Sequence, residues 1–273
     1  MDPFSDGVDL ADEINAVFEA VEQPVRADFF DSAPAAALAE AAVWVDRALA
    51  NVPDRGRGSA AFSLSAVDEA VSAASGSDLR PWEVGYRAAR SLRQELALGP
   101  TTPFPDIAPI GAVSVPRHAA FVAAGRRFRN DAAIATALAS QAGSRFAAAR
   151  SLWHAAHATE STAFLLTTGR SASQRAGRAF AAELLAPAAG IRQLLGAQAA
   201  KASVEDIETV AEDFGVAGLL VTHQIDNQLR GLHLDLAAVM AVGTPTHRSG
   251  GAARGLPGPQ PRWSPRRSRR RAP

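Results

Sequence analysis

The chain has 273 residues, with 28 basic and 28 acidic side chains that give a formal net charge of zero. It contains no cysteine, which excludes disulfides, thiolate zinc sites and cysteine nucleophiles. No run reaches the ~18 uncharged apolar residues of a membrane-spanning helix, and the acidic start Met1-Asp2-Pro3-Phe4-Ser5-Asp6 lacks the basic head of a secretory signal, so the expected compartment is cytoplasmic, with no membrane contact.

The neutral total conceals a gradient. Asp2, Asp6, Asp9, Asp12, Glu13, Glu19, Glu22, Asp28 and Asp31 face only Arg26 near the N-terminus, whereas Arg248, Arg254, Arg262, Arg266, Arg267 and Arg269–Arg271 meet no acid near the C-terminus. Apolar residues make up 47% of the chain, many of them alanine, and alanine has the highest intrinsic helix propensity.

Residues 1–79 read as a helical N-terminal region. Leu10, Ile14, Val17, Phe18 and Val21 recur at one-face helical spacing. Ser32 with Pro34 opens a second helix whose stripe is Leu38, Ala41, Ala42, Val45 and Leu49, and Pro53 marks its end. Ser65 caps a short helix running to Ala74. Pro81 occupies a first-turn position before a helix that buries Trp82, Ala89, Leu92 and Leu96 and stops at Gly99-Pro100.

The middle changes character. Ile110–Val115, Ala119–Ala123 and Ala132–Ala135 are short apolar runs bounded by breakers or polar residues, and read as strands. Helices resume at about 144–158, 172–185, 188–199, 203–213 and 217–229. Residues 244–273 are Pro, Gly, Ser and Arg with few apolar side chains, a composition that does not bury enough surface to order itself.

The stretch Arg145–Pro187 carries the chemistry to be weighed. A zinc-peptidase helix needs His-Glu-x-x-His, because two histidines at i and i+4 share one face and the intervening glutamate acts as base. In that frame this chain reads Arg150-Ser151-Leu152-Trp153-His154. Phe180-Ala181-Ala182-Glu183-Leu184-Leu185-Ala186-Pro187 follows.

These residues, with Arg145-Phe146 and Ala149, resemble the ImmA/IrrE family of zinc metallopeptidase-like proteins, whose core runs RFxxAHELGH and then ExxAxxFAAELLxP. Val210–Val216, Val221–Gln228 and Pro81–Arg87 extend the likeness over residues 80 to 230. The resemblance implies an α+β fold, mainly helical, with a small three-stranded sheet packed against a zincin-like site helix. It implies a core over residues 80–190, a closing helix-turn-helix-like segment over 191–243 and a tail over 244–273. It also assigns the ligand positions to Arg150, His154 and Gln174, the base position to Ser151, and the usual alanine to Gly177.

That constellation lacks the residues of zinc hydrolysis: a cation, a hydroxyl and an amide replace a ligand, the base and a ligand. The implied function is a catalytically degenerate, regulatory, peptidase-fold protein without a cofactor, binding a protein or peptide in the vestigial cleft. The cleft set is Arg150, Ser151, His154, His157, Gln174 and Glu183. Arg150 is expected either to grip an incoming carboxylate or phosphate, or to form an internal salt bridge with Glu160 or Glu183. Phe146, Leu152, Phe180, Leu184, Phe214 and Leu219 read as core.

Two alternatives remain. One is an active peptidase using His154, His157 and Glu160, although positions i and i+6 lie about 240° apart on a helix. The other is DNA binding through residues 203–230, where Ala211, Gly215 and Val221 have helix-turn-helix rhythm, together with weak nucleic-acid contact by the Arg-rich tail. Glu205, Asp206, Glu208, Glu212 and Asp213 oppose that reading, because phosphate-binding surfaces are basic.

Overall fold

In the computed structural model the described residues are 10–53, 63–75, 78–105, 107, 110–113, 120–128, 131–158 and 162–230. Glu160 and the tail 244–273 lie outside them. The expected strands appear as β1 (Ile110–Ala112), β2 (Phe121–Phe128) and β3 (Asp131–Thr136). The sheet nevertheless has four strands rather than three, because Ala163–Thr167 forms β4 after the site helix. The order is β1-β3-β2-β4, with β1 parallel to β3 and the other pairings antiparallel. All five residues of β4 are buried, so the strand shows none of the apolar–polar alternation that marks a half-exposed strand. The α+β class, dominated by helix, holds.

Helices cover both faces of the sheet. On one face lie α1 (Leu10–Ala20), α2 (Arg26–Ser32) and α3 (Leu38–Ala50), whose Val17, Phe29, Trp44 and Val45, with Val25 of the 3-10 turn before α2, pack with Phe121, Ala124 and Leu165. The opposite face holds α4 (Leu64–Ala74), α5 (Pro81–Glu95), the site helix α6 (Gln141–His157) and α7 (Ala172–Leu185), packed with Ala123, Ile134, Phe164 and Leu166. Alternate residues of β4 thus feed two separate cores, as the two-residue strand period requires, and β2 also feeds both, with its alternation shifted at the Phe121/Ala123 irregularity. The N-terminal helical region therefore divides between the two faces.

Small residues set the close approaches. A Cβ on Gly85 of α5 would lie 2.3 Å from the Ala176 carbonyl oxygen of α7, so only glycine lets these helices cross at this spacing. A Cβ on Gly125 would meet the Phe164 ring at 2.4 Å; the missing side chain seats that ring across the β2–β4 pair. Arg93, buried in α5, donates to the carbonyls of Leu184 (2.7 Å), Gly99 (2.6 Å) and Thr102 (2.6 Å), tying the end of α7 to the loop after α5.

Beyond α7, α8 (Ala188–Leu195) stops short of the expected residue 199, because Gly196 adopts a φ of +60° and a 3-10 turn continues to Lys201. Ser203 caps α9 (Val204–Phe214) through a reciprocal pair with Asp206, and Gly215 ends it at φ +63°. The next helix, α10 (Gly218–Gln224), continues into a π-helical turn at Ile225–Leu229.

Leu152, Phe180, Leu184 and Phe214 are buried as expected. Leu219 is not: it is 66% exposed, on the outer face of α10, while its neighbour Val221 turns inward. Phe146 is only partly buried. Trp82 and Leu96, expected inside, are also half-buried.

Candidate functional site

Ser140 starts α6 by accepting from the Gly143 amide at 3.1 Å, and the helix then carries Arg150, Ser151 and His154 into the interior. All three are buried, as are Gln174 and Glu183 of α7. Arg150 Nη2 donates to Gln174 Oε1 at 2.6 Å and to the Thr167 carbonyl at 2.9 Å. The Gln174 amide in turn donates to the Leu165 carbonyl at 2.8 Å, and its oxygen accepts from the Thr167 amide at 3.1 Å. Gln174 is thus stitched to the backbone of β4 on both sides. Arg178 also reaches the Thr167 carbonyl (3.4 Å) and the Gly169 carbonyl (2.9 Å).

A carboxylate enters this cluster from α2, which the sequence reading did not anticipate. Asp28 accepts from Ser171 Oγ at 3.3 Å and lies in the fields of Gln174 and Arg150. Burial raises its carboxyl above the usual range, opposed by hydrogen bonding from Gln174 and Ser171 and by the Arg150 charge. Burial, reinforced by Arg178, pushes the Arg150 guanidinium down to about 9, which leaves it protonated at neutral pH. The expected salt bridge from Arg150 to Glu183 does not form: the carboxylate acting on Arg150 is Asp28, and Glu183 is paired elsewhere.

Ser151 donates to the Ala148 carbonyl one turn back at 2.7 Å, so its hydroxyl has no base beside it. His154 stacks on Phe164 with ring centroids 6.1 Å apart, and its Nε2 has no hydrogen-bond partner. A Cβ on Gly177 would lie 3.0 Å from that nitrogen, so the glycine makes room for the imidazole. Burial first, then the charge of Arg150, lowers the His154 pKa well below its ordinary value, and the ring stays neutral.

Zinc, implied by the resemblance, does not fit these residues. Structural and catalytic zinc sites use about three protein donors. Here one imidazole nitrogen stands beside a guanidinium, and the oxygen of Gln174 is already taken by that cation and by a backbone amide. Among the described residues no three of His, Asp and Glu are grouped to hold a metal.

Glu183 is a joint rather than part of this cluster. Its Oε1 accepts from Arg90 Nε at 2.7 Å, and its Oε2 accepts from Gln228 (2.7 Å), Gln224 (2.9 Å) and the Ala188 amide (3.3 Å). One buried carboxylate thus holds α5, the start of α8 and α10 to α7. Gln224, placed on the candidate recognition helix, is turned inward and is buried. His157 is exposed, with Nδ1 2.8 Å from the Trp153 carbonyl, so it does not join the buried His154.

Beside the cluster runs an open groove of about 1440 Å³, walled by α5, the first turns of α6, α7 and α10. Trp82, Tyr86, Phe146 and Leu219 supply apolar surface, and Arg87, Arg175 and Arg178 supply cations. Four of the named cleft residues, Arg150, Ser151, His154 and Gln174, are therefore brought together by the fold but sealed, while Glu183 belongs to a neighbouring junction and His157 to the surface.

No known protein family, curated protein or solved structure matches this chain. The residues missed from sequence are Asp28, Thr167, Arg178 and Arg90, and the inward role of Gln224 was missed as well. Asp28 and Arg178 sit on helices that carry other charges, Arg26 and Asp31 on α2 and Arg175 and Glu183 on α7, so neither stands out locally. Thr167, used through its backbone, gives no local signal.

Proposed function

We propose that this chain is a catalytically degenerate protein of the ImmA/IrrE-like metallopeptidase type that works by binding a protein segment and not by hydrolysis. The observation that carries the reading is the Arg150–Gln174 hydrogen bond of 2.6 Å. Two residues from different helices, assigned by the resemblance to metal-ligand positions, lie face to face, which supports the alignment. The same contact places a cation where a metal would need donors.

The remaining catalytic parts point the same way. A water bound to zinc needs a general base, and the base position holds Ser151, bonded back to its own helix. The polar cluster is packed shut by Asp28 and β4, so the surface left for a partner is the adjoining groove.

Elemental analysis of the purified protein, with proteolysis assays with and without added zinc, tests the reading. The expected result is no stoichiometric zinc and no cleavage. Stoichiometric zinc that disappears in His154→Ala, accompanied by zinc-dependent cleavage, overturns it.

A further inference from the structure

The groove has a charge and shape that specify its occupant. Its walls carry Arg87, Arg90, Arg175 and Arg178 against a single carboxylate, Glu83. Arg90 is spent on Glu183, and Glu83 Oε2 accepts from the Arg80 amide at 2.8 Å as part of the cap of α5. No carboxylate pairs with Arg87, Arg175 or Arg178 among the described residues. These cations frame apolar surface from Trp82, Tyr86 and Leu219, and Leu219 is two-thirds exposed although it is one of the largest apolar residues of α10.

An isolated exposed leucine means little, but apolar surface gathered in a groove rimmed by one sign of charge marks an interaction site. A trough walled by four helices is a geometry that receives another helix by its apolar face. We propose that the groove binds an amphipathic helical segment of another protein, its apolar face on Trp82, Tyr86 and Leu219 and its carboxylates on Arg87, Arg175 and Arg178. This inference rests on the non-hydrolytic binding role proposed above, and names the chemistry of the partner.

The test uses the full chain and two labelled helical peptides of about 18 residues, one patterned with Leu and Glu and the other with Leu and Lys. Fluorescence anisotropy reads binding, and the emission of Trp82, checked against Trp82→Phe, reports whether the groove is occupied. The Glu peptide is expected to bind at least about tenfold more tightly than the Lys peptide, to shift Trp82 emission, and to weaken with salt. The double variant Arg87→Glu, Arg175→Glu reverses the preference, and Leu219→Asp weakens the Glu peptide by about tenfold. Both variants change exposed side chains and are checked for native circular dichroism.

Equal binding of the two peptides, no binding of either, or binding that ignores both variants overturns the proposal. So does self-association of the chain alone that Leu219→Asp abolishes, because the occupant is then a second copy. Cleavage of the Glu peptide with groove binding intact leaves the groove assignment standing and overturns the non-hydrolytic reading alone.

Discussion

Arg150 and Gln174 meet at 2.6 Å between α6 and α7, and both are anchored to β4, the guanidinium on the Thr167 carbonyl and the amide on Leu165 and Thr167. A buried cation held by neutral oxygens is sensitive to which partner is removed. Losing the acceptor leaves an uncompensated charge, whereas losing the charge itself removes its desolvation cost.

Gln174→Leu is therefore expected to destabilise by about 3 kcal/mol or more, and Arg150→Met by about 1 kcal/mol or less. In the double variant most of the Gln174→Leu cost from the stranded cation is recovered, giving a coupling above about 1 kcal/mol. Urea denaturation of the four proteins measures all three quantities. Additive effects would show that Arg150 does not depend on Gln174.

His154 sets an acid dependence of known sign. Its folded pKa lies well below the 6.5 of a free histidine. Below pH 6.5 the unfolded chain takes up a proton that the folded chain refuses, so stability is present above that pH and is lost as pH falls. The slope approaches about 1.4 kcal/mol per pH unit for one proton. Asp28 acts in the opposite sense: its raised carboxyl pKa means that protonation on acidification relieves a cost of burial. In an Asp28→Asn background, His154→Leu is expected to flatten the stability profile between pH 6.5 and 5. An unchanged slope would place the acid sensitivity elsewhere.

Gly85→Ala tests the helix crossing. The added Cβ falls 2.3 Å from the Ala176 carbonyl oxygen and 2.9 Å from the Phe180 amide nitrogen, both backbone atoms. Relief requires α5 and α7 to separate, and overpacking of this kind costs about 3 kcal/mol, outweighing the ~1 kcal/mol that alanine gains over glycine in a helix. Thermal unfolding reads the difference, and a stabilised variant would contradict this packing.

Restoring the resembled constellation tests the alignment itself. Arg150→His alone is expected to bind no zinc, since Gln174 is a weak neutral ligand and Ser151 supplies no base. Arg150→His, Ser151→Glu, Gln174→Glu together put an imidazole and a carboxylate where the parent has a cation and an amide, beside the existing His154, and a second carboxylate at the base position. Near-stoichiometric zinc by elemental analysis is the expected result for the folded triple variant, against none in the parent. A folded triple variant without zinc would sink the assignment of these positions.

Much of the fold was legible because its signals are local. Pro81 at the first turn of α5 and the helical spacing of Phe180, Leu184 and Leu185 mark their elements directly, whereas the cap of α4 is Ser63, which accepts from the Ser65 amide, and not the Ser65 expected from sequence. β4 was missed because a doubly buried strand has no alternation to read. Ser32 with Pro34 was expected to open the second helix, but Ser32 ends α2 and Pro34 precedes a 3-10 turn at Ala35–Ala37 before α3; α2, seven residues long, left too short a pattern to register. The resemblance put Arg150 and Gln174 at two positions of one site, but the internal partner expected for Arg150 was Glu160 or Glu183 rather than Gln174; Asp28 reaches them across 122 and 146 residues of sequence, a contact that only tertiary packing creates. Leu219 misled for the opposite reason: apolar residues at helical spacing read as core whether they face the interior or line a groove.

The side chain of Gln174 offers β4 one donor and one acceptor at the spacing of an extended peptide unit, on the side of that strand away from β2. An extended polypeptide added beside a strand needs those same two backbone groups. The amide thus acts as a built-in stub of a fifth strand, and the edge of β4 at Leu165 and Thr167 is closed to an added chain. A substitution at position 174 therefore acts twice: it changes the partner of the Arg150 guanidinium, and it opens the outer edge of β4 to another extended segment.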